Sequence, residues 1–245
     1  MSADVRQYLM ERNQLQDELQ SIADTKYAAF VAGYFKTGKG DYGEGDVFLG
    51  IKVPVLQKIV KKYNLTLAEI EKLLESEVHE HRYCALLSLI KQYQNNKEHK
   101  KVFDFVLEHT KHINNWDLVD TIAPQLIGPY LVDTDKSILY QLARSSNLWE
   151  RRIAIVSTLA FIREEQYEDT LKIAELLLHD EHDLLHKAVG WMLREVGKRD
   201  QDVEEAFLAK HHKNMPRTML RYAIERFSEE KRRSYLGTQP RILQK

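Results

Sequence analysis

A short pattern returns along this chain at a nearly constant interval: a cationic or polar cluster, a small residue, then an apolar stripe. It is carried by His81-Arg82-Tyr83-Cys84-Ala85-Leu86-Leu87, by Glu150-Arg151-Arg152-Ile153-Ala154-Ile155-Val156, by Leu185-His186-Lys187-Ala188-Val189-Gly190-Trp191 and by Leu220-Arg221-Tyr222-Ala223-Ile224. The alanines Ala85, Ala154, Ala188 and Ala223 are separated by 69, 34 and 35 residues, so the first gap spans two repeats. Halving it predicts a further register near residue 120, where the run Trp116 to Ala123 keeps the apolar period and Asp120 takes the alanine's place. A period of about 35 residues accommodates two antiparallel helices and two turns, the unit of helical solenoids. One such hairpin cannot cover its own apolar face; stacking supplies the cover. The expected fold is all-α, a right-handed α–α superhelix of about six helical-hairpin repeats, with residues 1–245 forming one repeat domain.

Between these inner segments lie outer helices with apolar spacings of three and four, among them Ile70, Leu73 and Leu74, then Val102, Phe103 and Val106, and later Ile173, Leu176 and Leu177. Pro54, Pro124 and Pro216 fall where helices start or kink. Asp180 to Asp183 and Lys198 to Asp200 read as turns. The one glycine-dense stretch, Thr37 to Asp46, lacks the Lys-Ser/Thr ending of a P-loop and does not match GxGxxG, which leaves it a connector.

No run approaches the roughly 18 apolar residues of a membrane span, and Met1 to Glu11 lacks the apolar region of a secretory signal, so a cytoplasmic protein without membrane contact is expected. The single cysteine, Cys84, sits in an apolar-periodic stretch and reads as a core residue. The histidines show no HExxH or comparable metal-ligand spacing, and no metal site is expected. The net charge of −1 hides an asymmetry: Asp183 to Lys245 carries 14 Lys and Arg against 9 Asp and Glu, a net of +5, leaving −6 elsewhere. A solvated helical surface and a basic binding face both fit that distribution.

In a solenoid, equivalent positions of the inner helices line up across repeats on the concave side. Arg152, His186 and Arg221 each stand two residues before their alanine, with Arg151 and Lys187 beside them. Such a basic row suits a polyanionic rod. All three tryptophans, Trp116, Trp149 and Trp191, fall on or beside inner segments. Trp149 follows a candidate cap, Asn147, and reads as packing. Trp116 and Asp120 are four apart, so an aromatic plane and a carboxylate share one helix face, a pairing that suits a cationic ligand. The spacing alone equally allows Trp116 and Trp191 to be core spacers and Asp120 to bond a backbone amide.

Asn115-Trp116-Asp117-Leu118-Val119-Asp120, Asn147-Leu148-Trp149-Glu150-Arg151-Arg152 and Lys187-Ala188-Val189-Gly190-Trp191-Met192-Leu193-Arg194-Glu195 resemble the AlkD-like DNA alkylation repair family, in this order and across about residues 25 to 230. The resemblance implies a HEAT-like solenoid that holds duplex DNA and removes N3- and N7-alkylated purines by hydrolysis, as a monomer without metal or cofactor. By motif, Trp116 and Trp191 match the tryptophans that cradle the lesion's deoxyribose, Asp120 the catalytic carboxylate and Arg152 a phosphate contact. Tyr34 matches a tyrosine near the site. The glycine stretch after Tyr34 is longer than in the founding enzyme, which separates the DNA contacts of this N-terminal part from the family pattern. Two further readings stay open: a solenoid of the same superfamily that recognises damaged or branched DNA without cutting it, and a scaffold that binds a peptide in the groove.

Overall fold

A computed structural model describes residues 3–95 and 98–237. The expected all-α architecture is met: among the described residues the one extended pairing is an isolated bridge between Val47 and Val78. The chain divides into two compact units, Met1–Ile122 and Ala123–Lys245.

The first unit contains α1 (Ala3–Ser21), α2 (Thr25–Tyr34), α3 (Val53–Val60), α4 (Leu67–Leu74), α5 (His79–Asn95), α6 (His99–Glu108) and α7 (Trp116–Ile122). Pro54 lies in the first turn of α3, where its missing N–H costs nothing. A capping box opens α4, with Thr66 Oγ1 accepting from the Glu69 amide at 3.3 Å and Glu69 Oε2 accepting from the Thr66 amide at 2.9 Å. The core is aliphatic, and Leu15, Leu19, Ile70, Leu73, Leu86 and Leu89 have no exposed surface. The extended stretch at 49–51 carries no ladder; instead the buried Glu80 carboxylate accepts the amides of Leu49, Gly50 and Ile51 at 2.9, 2.8 and 3.2 Å. Gly50 has φ +78°, and a side chain there would meet the backbone of Asp24 and Ala28, so this crossing requires glycine.

The second unit opens with a π turn at Ala123–Ile127 that holds Pro124, followed by α8 (Gly128–Leu131), α9 (Ser137–Leu142), α10 (Leu148–Ser157), α11 (Leu159–Arg163), α12 (Glu168–Leu176), α13 (Asp183–Gly197), α14 (Gln201–His211), α15 (Arg217–Ala223) and α16 (Glu229–Gly237). Its helix starts follow the sequence: Asn147 accepts the Trp149 amide at 2.9 Å, and Asp200 accepts the Val203 amide at 3.1 Å. Pro216 occupies the cap of α15. Helices α13 and α15 pack backbone against backbone, and Gly190 makes it possible. A Cβ at residue 190 would stand 2.4 Å from the Met219 carbonyl oxygen and 2.5 Å from Tyr222 Cβ.

The repeat register is kept at the level of single residues. Ala85, Ala154, Ala188 and Ala223 lie on α5, α10, α13 and α15 and are fully buried. Asp120, on α7, is the half-buried exception.

Candidate functional site

The first residue of α7, Trp116, is fixed from two sides. Its amide donates to Asn115 Oδ1 at 2.8 Å, and its ring lies flat on Phe35, with centroids 5.1 Å apart and planes 6° from parallel. Tyr34 meets the same indole edge-on at 6.0 Å, while 63% of Tyr34 remains exposed. Phe35 in turn contacts Phe48 at 5.1 Å and the His79 ring at 5.2 Å. Stacking of this kind removes the rotamer freedom of Trp116, so one indole face is spent on packing and its position is set in advance. Asp120 follows one turn along α7, half-buried on the face that begins with Trp116. The next residue, Thr121, is tied to α5 through a bond from its hydroxyl to Tyr83 Oη at 3.0 Å.

Beneath the aromatic cluster lies an ionic network. His79 offers Nδ1 to Asp46 at 3.2 Å and Nε2 to Asp117 at 2.8 Å, and Arg82 donates to the other Asp46 oxygen at 2.6 Å. Burial alone would discharge His79. The Asp117 charge, with hydrogen bonds to Asp117 and Asp46, outweighs that and raises its pKa to about 9. Burial likewise opposes the Asp46 carboxylate, but His79 and Arg82 hold its pKa below the ordinary value. Phe35 and Phe48 therefore both pack against an imidazolium at neutral pH, Phe48 stacking on it at 4.6 Å. Asp117 is the neighbour of Trp116 in the chain, so the network anchors the first turn of α7. Asp46 closes the glycine-dense stretch, which is folded rather than a bare connector: Gly40 donates to Glu44 at 2.8 Å and Gly43 to the Lys36 carbonyl at 3.1 Å.

In the second unit, Trp191 is half-buried on α13 and donates from Nε1 to Glu195 at 3.1 Å. The basic residues fall into two groups. Arg152 is 5% exposed and donates to the Leu184 carbonyl at 2.6 Å, bridging α10 to α13. Arg151 pairs with Asp180 at 2.6 Å and donates to the Ser145 and Ser146 carbonyls at 2.9 and 3.0 Å. Lys187 and Arg221 differ. The Lys187 side chain is 39% exposed in an i, i+4 pair with Asp183, and Arg221 is exposed with no hydrogen bond or ion pair among the described residues. His182 and His186 do not act as a pair: His182 caps α13 by accepting the Leu184 amide, and His186 bonds the Asp180 carbonyl.

A family model described as DNA alkylation repair enzyme matches residues 15–227 of this chain. The chain belongs to the DNA alkylation repair family. Among solved structures, a protein described as a predicted DNA alkylation repair enzyme from Enterococcus faecalis is similar, with TM-score 0.64 and 20% identity over 84% of this chain and 97% of its own. AlkD2 from Streptococcus mutans is similar with TM-score 0.54 and 16% identity, over 91% of this chain and 99% of its own. At these identities the likeness is one of fold. No curated protein sequence matches the chain.

For this member of the alkylation repair family, the sequence motifs singled out Trp116, Asp120, Tyr34 and Trp191, and gave no role to Phe35, Phe48, Asp46, His79 and Arg82, which the structure gathers around Trp116 and its neighbour Asp117. A signal for the ionic part was present: His79-Glu80-His81-Arg82 places four polar residues at the start of an apolar helix, and all four are buried. Asp117 stood within the quoted motif without a role. No helix among the described residues is long and apolar enough to cross a membrane.

Proposed function

We propose that this protein is a DNA N-glycosylase that hydrolyses the glycosidic bond of N3- or N7-alkylated purines in duplex DNA. The observation that carries the reading is α7 itself, where a pre-positioned indole and a carboxylate share one face in a chain of the DNA alkylation repair family. Alkylation makes the purine cationic, so the bond from C1′ to the purine nitrogen breaks with its electron pair leaving on the base. That pair neutralises the base, and little acid catalysis is needed. The sugar becomes oxocarbenium-like, and a carboxylate near C1′ stabilises it. Water then adds to C1′, losing its proton to Asp120 or to solvent, and an abasic site remains. Trp116 contributes cation–π attraction, and Trp191 is assigned the same role through the family motif. Tyr34 borders Trp116 and would meet the DNA. Lys187 and Arg221 serve as phosphate contacts, and the family motif assigns the same role to Arg152, with Arg151 beside it. The chemistry needs neither metal nor cofactor.

Release of free 7-methylguanine from methylated duplex by the purified protein tests the reading. Tight binding of damaged duplex with no release would leave damage recognition without cleavage. The reading also takes residues 1–245 as one repeat domain acting as a monomer, for which a single cooperative melting transition is expected; two resolved transitions would reject the single domain.

A further inference from the structure

Helix α2 is apolar and aromatic, Thr-Lys-Tyr-Ala-Ala-Phe-Val-Ala-Gly-Tyr, yet none of its residues is buried. Phe30 is 68% exposed and Tyr34 63%. Tyr27, Phe30 and Tyr34 are spaced i, i+3 and i+7, hence on one face. The Tyr27 ring stacks on Phe30 at 6.0 Å, and Tyr34 reaches Trp116 at 6.0 Å, so the stripe runs outward from the candidate site. An exposed phenylalanine amid this much apolar surface marks an interaction face.

Charge selects the occupant. The Lys52 ammonium stands over the Tyr27 ring at 5.6 Å, and Lys26 and Lys39 are exposed nearby in the chain. Among the acidic residues of the same region Asp46 is paired with His79 and Arg82, while Asp24, Asp41 and Glu44 are exposed carboxylates, outnumbered by the four exposed lysines Lys26, Lys36, Lys39 and Lys52. Planar aromatic faces flanked by lysines complement a polyanion made of planar bases.

We infer that Tyr27 and Phe30 extend the DNA contact along α2 beyond Tyr34, with Phe30 as a wedge that enters a weakened base-pair step beside the lesion. This rests on the reading that the protein works on duplex DNA. Seven residues of helix span about 10 Å, close to three base-pair rises of about 3.4 Å, so the stripe and Trp116 engage neighbouring steps of one duplex. Inserted apolar side chains partly unstack a step, which is least costly where pairing is already weakened.

The test uses a short duplex with 2-aminopurine beside a tetrahydrofuran abasic analogue, and a fully paired control. Wild type should raise the 2-aminopurine fluorescence. Phe30→Ala should abolish that rise and weaken binding of the abasic duplex about tenfold, with less than about twofold loss on the control, in line with the worth of base–aromatic stacking. Phe30→Tyr, which keeps the plane, should restore most of both. Phe30 is exposed, so melting of the variant should match wild type. Equal fluorescence and affinity for wild type and Phe30→Ala overturn the wedge, even if wild type releases 7-methylguanine. Self-association of wild type that Phe30→Ala abolishes also overturns it, giving the face to a second copy. A wedge signal without 7-methylguanine release supports the wedge and removes only the glycosylase reading. No duplex binding by wild type overturns both.

Discussion

Equivalent helices of the repeat pattern are fastened in opposite ways in the two units. The α13–α15 pairing is held by shape: Ala188 and Ala223 are fully buried, and Gly190 lets one backbone touch the other. The start of α7 is held by charge, with His79 between Asp46 and Asp117 and with Arg82 on the far oxygen of Asp46. Apolar packing is the cheaper way to hold a helix, since a buried ion pair rarely gains more than an apolar replacement would. A network at this place therefore serves position more than stability. It fixes the first turn of α7, which begins with Trp116, whereas α13 and α15 are fixed against each other by close packing. That contrast can be broken by substitution.

The largest effect is expected at Asp120. If it stabilises an oxocarbenium-like sugar, Asp120→Asn keeps fold and duplex affinity while excision of 7-methylguanine slows by about 10- to 1000-fold. A lower melting temperature, with activity per folded molecule unchanged, would make Asp120 a structural residue and leave α7 without its chemical role.

The charged fastening predicts a pH dependence. His79 has a folded pKa of about 9, raised above its ordinary 6.5, so its contribution is fully present below about pH 6.5 and is lost as pH rises through 9. His79→Gln should flatten the fall of melting temperature between pH 6.5 and 9 relative to wild type. Glu204, whose carboxyl burial and Glu205 push up to about 8, titrates in the same range, so the difference between the two proteins carries the test. His79→Ala leaves Asp46 and Asp117 facing each other without their cation and should cost about 3–5 kcal/mol. Equal slopes for wild type and His79→Gln would show that the imidazolium contributes nothing.

The shape-held pairing should respond to volume and ignore pH. Gly190→Ala puts a methyl where the Met219 carbonyl and Tyr222 Cβ already lie, which should cost about 1–3 kcal/mol at any pH in that range. A neutral effect would mean that α13 and α15 can separate without loss.

How much of this could be read from the chain differs between the two regions for the same reason. Small residues at a fixed interval signal helix contacts directly, so Ala85, Ala154, Ala188 and Ala223 mark α5, α10, α13 and α15 in the sequence itself. Asp120 was visible as the break in that row. The network under Trp116 was not, because Asp46, His79 and Asp117 are separated by 33 and 38 residues and only folding brings them together. The run His79-Glu80-His81-Arg82 ahead of an apolar stripe marks a polar helix start, but nothing local in it names Asp46 and Asp117 as the partners.

The smallest effect concerns the basic row, where sequence equivalence and structural role diverge. Arg152 and Arg221 hold the same register position, yet Arg152 is buried on the Leu184 carbonyl and Arg221 is exposed. If Arg221 contacts a phosphate, Arg221→Ala should weaken duplex binding a few-fold and reduce the slope of log K against log salt by about one, since one fewer counterion is released. Its fold should be unaffected. Arg152→Ala removes the bond from α10 to α13 and should lower the melting temperature first. If Arg152 also touches DNA, its salt slope falls at temperatures where the variant is fully folded. An unchanged slope there assigns Arg152 to the scaffold, and an unchanged slope for Arg221→Ala as well would remove this row from the DNA interface.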